Sequence, residues 1–345
     1  MKRRRVVRFS LITVLIVAVM GFFLFPTNQY LEEPGGADNL KPLVTVTGKT
    51  DKAAGQYLLM TVGIVGPASP AMLVWGHFRP FTDQISKQEL MGDDNTATYN
   101  QLQKYYIESA ANNAIGAAFK QAHKPVTVNH EGIYVLSKLA NSPFKQLAVG
   151  DTITALNGKT YQSADDYVNA IKKRSVGSQL AITYKHKGQV KHETAKLIRL
   201  PGTKKAGIGI TLTENTQVTT KPKVSIDAGD IGGPSAGLMF ALQVYTTISE
   251  PNLRAGRMIA GTGTMALDGT VGQIGGIDKK VAAADAKGAT IFFAPNQPAT
   301  KAIKKIDPTY VNNYDDAKKA AATLHTKMKI VPVKTLQDAI DYLKR

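Results

Sequence analysis

From Phe9 to Phe25 the chain is almost unbroken apolar residue: Phe-Ser-Leu-Ile-Thr-Val-Leu-Ile-Val-Ala-Val-Met-Gly-Phe-Phe-Leu-Phe. Wound as a helix, this run rises about 25 Å, the short end of what crosses a bilayer. Pro26, Pro34, Gly35, Gly36 and Pro42 then break the pattern, so residues 26–42 are expected to form a linker. Leu43–Thr47 and Tyr57–Ile64 are rich in β-branched and large apolar residues and predict strands. Residues 97–120 predict a long helix with small residues on one face.

The texture changes over about 126–200. Gly132-Ile-Tyr-Val135 predicts a short strand after a glycine, and Gly150–Gly158 a strand entering an Asn-Gly turn. Ser163–Lys172 predicts a helix opened by a capping-box-like Ser163/Asp166 pair. Leu180–Tyr184 and Glu193–Ile198 predict further strands. From about 205 strands alternate with helices: strands at Lys223–Asp227, Arg257–Thr262, Thr290–Ala294 and Ile330–Val333, and a hairpin turn at Leu267–Thr270. Helices are expected at Ser235–Tyr245, at Lys279–Lys287 closed by Gly288, and at Thr335–Leu343.

Composition narrows the class. In 345 residues, 43% hydrophobic and 20% charged describe a globular chain long enough for two ordinary domains. The absence of cysteine excludes a disulfide framework and thiolate metal sites, and no cofactor or metal is expected. The net charge of +17 favours polyanions, but no helix-turn-helix, zinc-finger or RNA-binding signature supports nucleic acid. Lys2, Arg3, Arg4, Arg5 and Arg8 precede or open the apolar run. That flank places the amino end in the cytoplasm and everything after Phe25 outside. No Ala-x-Ala-like site follows the run, so a retained single-pass anchor is expected rather than a cleaved signal peptide.

Gly132-Ile-Tyr-Val135, Val149-Gly-Asp151, Ile153 and Leu156-Asn-Gly158 resemble a PDZ domain of the bacterial protease-associated type. Such domains take a peptide as an added strand. The resemblance implies that the Gly132–Val135 strand borders the peptide groove.

The candidate chemistry lies in Gly233-Pro-Ser-Ala-Gly237 and Gly275-Gly-Ile-Asp-Lys-Lys280. Ser235 sits among small residues that let a substrate backbone approach, and it opens a helix whose free N–H groups could hold an oxyanion. A serine hydroxyl needs a base. The six histidines are scattered, none near Ser235 in sequence. A lysine serves if its value falls from about 10.4 to roughly 7–8, a change of about 4 kcal/mol. A helix amino terminus supplies only about 0.3–1 kcal/mol, so burial must do most of the shifting. Lys280 stands between Ile274–Ile277 and Val281–Ala284 and suits that demand, while Lys279, about 100° round the helix, is expected at the solvent face.

Gly233–Gly237, Gly261-Thr-Gly263, Gly269–Ile277, Lys280, Ala282-Ala-Ala284 and Gly288 together resemble the proteolytic domain of the Lon family. The resemblance implies Ser235 as nucleophile and Lys280 as general base, with Thr262 where the family has a threonine assisting the lysine. Three positions before the serine the family is often acidic; here stands Gly232, and nearby Asp230 receives no role. Anchor, PDZ-like segment and Lon-like part together resemble a membrane-tethered family of Gram-positive bacteria that includes pheromone-processing serine proteases. Full Lon proteases carry an ATPase, but Leu43 and Ile153 stand where phosphate loops ending at Thr50 and Thr160 need glycine.

Three decoys fail on spacing. Gly-x-Ser-x-Gly also fits a hydrolase elbow, but Ala228–Gly233 separates strand from serine and His325 is the sole downstream histidine. Ser142-Pro-Phe-Lys145 lacks a Lys-Thr-Gly partner, and Tyr134 occupies the second-histidine position of a His-Glu-x-x-His motif. A membrane-anchored peptide-binding adaptor would have lost the serine or the lysine, and both are present.

The expected fold is α+β: a Lon-type proteolytic domain with an inserted PDZ-like β domain, preceded by an N-terminal transmembrane helix. The expected units are a basic stub and anchor over 1–30, the opening of the protease fold over 40–123, the PDZ-like domain over 124–201 and the Lon-like domain over 205–345. The expected activity is an ATP-independent serine endopeptidase that cleaves exposed peptides or unstructured segments outside the membrane. Its partners are a peptide or protein substrate and the membrane, and self-association is compatible with the sequence.

Overall fold

The computed structural model describes residues 2–345, with side chains from Val7 onward, so the basic side chains of Lys2 to Arg5 lie outside the described residues. Helix α1 (Lys2–Leu24) contains the apolar run; its Val7–Leu24 stretch has a mean hydropathy of 2.4 and buries nothing against the protein. It is long and apolar enough to cross a membrane.

The next elements are β1 (Gln29–Asn39), β2 (Val44–Val46), β3 (Gln56–Val65), α2 (Pro70–His77), β4 (Asp83–Ser86), α3 (Lys87–Met91) and α4 (Thr96–Gln121). The expected linker over 26–42 is corrected here, because most of it is strand β1, paired with β3 on one side and β4 on the other. Tyr30 and Leu31 anchor it in the core. Its prolines and glycines make a bulge between Pro34 and Ala37, where a Cβ on Gly35 would lie 2.6 Å from Thr61 Oγ1. Turn-forming residues mark a bulge as readily as a linker, which is why the pattern misled.

A second group follows: β5 (Val126–Lys138), β6 (Thr152–Leu156), α5 (Ala164–Lys172), β7 (Gln179–His186), β8 (Gln189–Lys196), β9 (Ile198–Arg199), β10 (Ala206–Gly207) and β11 (Ile210–Thr220). Five of its strands form one sheet in the order β11-β5-β6-β7-β8, over a separate core built from Ile133, Val135, Phe144, Ile153, Leu156, Tyr167 and Leu180 among others. The Asn157-Gly158 turn has positive φ at both residues (50° and 76°), as a tight hairpin-type turn requires. Ser163 caps α5 by accepting the Asp166 N–H. The sheet reaches Thr220, beyond the boundary expected at 201.

The remaining elements are β12 (Val224–Ile226), a 3-10 turn (Pro234–Ala236), α6 (Gly237–Ile248), β13 (Met258–Gly261), β14 (Thr264–Met265), β15 (Val271–Gly272), α7 (Ile277–Ala286), β16 (Ile291–Pro295), α8 (Lys301–Ile306), α9 (Asn313–Thr323), β17 (Lys329–Val333) and α10 (Leu336–Leu343). Strands from both ends of the chain share a six-stranded sheet ordered β17-β16-β13-β3-β1-β4. Residues of β3 alternate between its two faces. Tyr57 and Leu59 enter a core with α4, α6 and α10, whereas Leu58 and Met60 enter one with α7 and α9. A strand buried on both faces reads as a continuous apolar run, and Tyr-Leu-Leu-Met is one. Asp51, before β3, and the fully buried Arg254, before β13, pair at 2.5 Å.

Candidate active site

Ser235 is half-buried in the 3-10 turn that leads into α6. Two distant segments hold that turn. The carbonyl of Gln103 in α4 accepts the Gly233 N–H at 2.9 Å. The Ser235 carbonyl accepts the Gly263 N–H at 2.9 Å and the Thr262 hydroxyl at 3.0 Å. The serine backbone is therefore pinned to the end of β13, which leaves its side chain to face a cleft.

Lys280 comes from α7. The helix begins after Gly276, which takes φ 63°, and a Cβ there would lie 3.0 Å from Val62 Cγ2. This left-handed start swings the chain so that Lys280 points inward. Lys280 is 3% exposed, with Nζ 2.5 Å from Ser235 Oγ and 3.3 Å from Thr262 Oγ1. Burial pushes the ammonium down to about 8 against an opposing pull from the Glu32 carboxylate. Thr262 gives its hydroxyl proton to the Ser235 carbonyl, so its oxygen meets Lys280 as an acceptor.

The expectation for Lys279 is corrected: it is 2% exposed, not at the solvent face. Its ammonium lies 2.5 Å from Asp83, 3.3 Å from Asp278 and 3.5 Å from Glu32. Burial draws it down, but the Asp83 hydrogen bond and the charges of Asp278, Glu32 and Asp83 outweigh that and leave it raised. Two adjacent lysines are thus both buried and differ in partners. One meets carboxylates and stays charged, the other meets hydroxyls and holds its proton less tightly. Helical spacing alone could not distinguish them, because the strand β1 that covers Lys279 comes from a segment read as linker.

The cleft in front of Ser235 has a volume of about 920 Å³. One wall is β3 from Leu59 to Ile64, where its edge on the β13 side is unpaired, since β13 pairs only with Gln56 and Tyr57. Gly229–Ala236, Gln273–Gly275 and Tyr99 and Gln103 of α4 complete it. Asp230 lines the cleft, and no histidine does. His325 lies in the turn after α9. Glu32 and Gln103 went unnoticed in the sequence, because each acts at the site from more than a hundred residues away.

The PDZ-like groove is placed differently from expectation. Ile133 and Tyr134 pair with Glu214 and Thr213 of β11 on one side and with Ile153 and Thr152 of β6 on the other. Gly132–Val135 therefore has no free edge; the edge strands are β8 and β11, and β11 touches α5 and is bonded by α4 side chains at Glu214, Thr216 and Val218.

The family model of the PDZ domain matches residues 113–197, and that of the Lon protease (S16) C-terminal proteolytic domain matches residues 204–343, so the PDZ domain precedes the Lon domain along the chain. No curated protein matches the chain. Among solved structures, the PDZ domain of an SdrC-like protein from Listeria monocytogenes is 30% identical, covering 25% of this chain and 92% of that one, with a TM-score of 0.24. Its counterpart from Listeria innocua is 32% identical, covering 24% and 92%, with a TM-score of 0.23. A structure from Geobacillus thermodenitrificans is 25% identical, covering 24% and 95%, with a TM-score of 0.22. The chain thus carries a PDZ domain and a Lon protease (S16) C-terminal proteolytic domain, with one N-terminal apolar helix that fits a membrane anchor.

Proposed function

We propose that the protein is an ATP-independent serine endopeptidase that works outside the membrane through a Ser235–Lys280 dyad. The observation that carries this reading is Lys280 Nζ 2.5 Å from Ser235 Oγ, in surroundings that bring the lysine to about 8. Neutral Lys280 accepts the Ser235 proton as Oγ attacks the peptide carbonyl. Thr262 fixes the lysine's direction, and free backbone N–H groups at the opening of the Ser235 turn are the candidate donors to the oxyanion. Lys280 then gives the proton to the leaving amine, and in the second half it draws a proton from the water that opens the acyl-enzyme.

The unpaired edge of β3 suits an extended substrate, which would add as a strand with its scissile bond at Ser235. That mode favours unstructured or exposed segments. The edge strand β11 beside α5 offers the PDZ domain a second place for a peptide to add. We further propose that residues 40–123 and the chain after Thr220 act as one proteolytic unit, with the PDZ domain, whose sheet runs to Thr220, set between them. The shared six-stranded sheet and the Asp51–Arg254 pair support this.

The test compares the wild type with Ser235→Ala and Lys280→Ala on a peptide library without ATP. Each variant is expected to lose turnover by about 10³-fold or more. Retained cleavage in either would refute the dyad.

A further inference from the structure

Helix α2 has no part in the site, yet it carries the most exposed aromatic side chains beyond α1. Its sequence, Pro-Ala-Met-Leu-Val-Trp-Gly-His, is apolar nearly all round. Gly76 is buried against Leu31 of β1. Val74, Trp75 and Phe78, by contrast, are 53%, 67% and 78% exposed. Large apolar side chains grouped on one short element mark a surface that is covered in use.

The attachment of α2 to α1 says what covers it. Two residues after the apolar run ends at Phe25, Thr27 donates both its N–H (3.0 Å) and its hydroxyl (2.7 Å) to the Ala68 carbonyl. The Ala68 N–H donates to the Gln29 carbonyl at 2.7 Å. Ala68 immediately precedes Ser69, the residue that caps α2. The start of α2 is thus bonded to the first residues beyond the helix that fits a membrane anchor. Where α1 spans a bilayer, Phe25 to Thr27 lies at its surface and α2 lies at the same level. Tryptophan and other aromatics are favoured at that depth, and short apolar-faced helices lie in that plane.

We propose that α2 is seated in the boundary between headgroups and acyl chains of the leaflet that α1 exits, with Val74, Trp75 and Phe78 in contact with lipid. α1 and α2 then form a two-part foot that fixes how the protease body stands on the membrane. Strand β1 carries Leu31 beneath α2 and Glu32 in the cleft, so a seated α2 also sets the height of the cleft above the bilayer. The proposal rests on α1 spanning the membrane and is independent of the Ser–Lys chemistry.

Trp75 is the chain's single tryptophan, so it reports on α2 without labelling. The full chain is reconstituted in phosphatidylcholine vesicles, and Trp75 fluorescence is quenched either by aqueous iodide or by lipid carrying a doxyl group at acyl carbon 5. The expected result is strong quenching by the doxyl lipid and weak quenching by iodide. In a Val74→Asp/Phe78→Asp variant the preference should reverse by several-fold, while flotation with the vesicles and peptide hydrolysis persist, which shows that the chain is folded and anchored. Full iodide access in the wild type would overturn the proposal, as would a tryptophan shielded from both quenchers, which would mean that protein covers the patch.

Discussion

In the proposed dyad Lys280 sets the pH behaviour of the site. With its value lowered to about 8 by burial, the base is mostly protonated at neutral pH. The first-order expectation is that kcat/KM rises with pH and levels off above about pH 8. Glu32 works against that lowering, so Glu32→Gln should move the rising limb to lower pH; an unmoved limb would mean that Glu32 does not act on the lysine. The same burial has a stability signature. Between about 8 and the ordinary 10.5 the unfolded chain binds a proton at this position that the folded chain does not, so stability rises with pH across that window. Below it the folded state bears the full cost of a charged lysine, about 3 kcal/mol at most. Lys280→Met should therefore raise the denaturant midpoint at pH 7, with the gain fading toward pH 10.5. Ser235 and Lys280 stand out in the sequence as candidates because the proposed chemistry needs those side chains in those small-residue settings, and Thr262 enters only through the family resemblance. The contrast between Lys279 and Lys280 does not stand out, because it depends on Asp83 and Glu32 arriving from elsewhere.

Helix α7 delivers the lysine, and its opening conformation decides where the side chain points. Gly276→Ala would force a side chain into a left-handed conformation and against Val62. It should cost about 1–2 kcal/mol in denaturant unfolding and lower kcat as Lys280 shifts; unchanged stability and kcat would show that the glycine is dispensable. Most strands and helices near the site were readable from periodicity: β3, α4, β13, α7, β16 and α10 all stand within a few residues of expectation. The Pro-Gly bulge hides β1 in the sequence, and the glycine-led strand over 132–135, which by resemblance borders the groove, is paired on both sides. In both cases the local pattern described the segment, while its neighbours in the sheet determined its role.

Across the whole molecule strands from residues 29–86 and from 258–333 share one sheet, and the PDZ sheet between them leaves and returns through the paired strands β5 and β11. Tyr105 of α4 stacks on Tyr134 and donates to the Glu214 carbonyl, while Asn112 bonds to Thr216 and Val218. The same helix holds the serine turn through Gln103, so α4 touches both the PDZ sheet and the site. His130 and Thr216 are paired across the ribbon. Residues 131–215 can therefore be replaced by a two-residue Asn-Gly turn without stretching the chain. The shortened protein should keep cooperative unfolding and hydrolysis of short peptides and lose peptide binding at the β11 edge. An unfolded or inactive product would show that the PDZ domain is part of the protease fold.

By itself the sequence determined what depends on local chemistry: an apolar run with a basic flank, strand and helix periodicities, a serine among small residues and a lysine in an alanine-rich helix. Only the tertiary structure decided that Lys279 is buried among carboxylates, that β1 is a strand, which strands lie at the edges of the PDZ sheet, and that α2 is tied to the end of α1. Those outcomes depend on contacts between residues tens to hundreds of positions apart, and burial and charge act through space rather than along the chain.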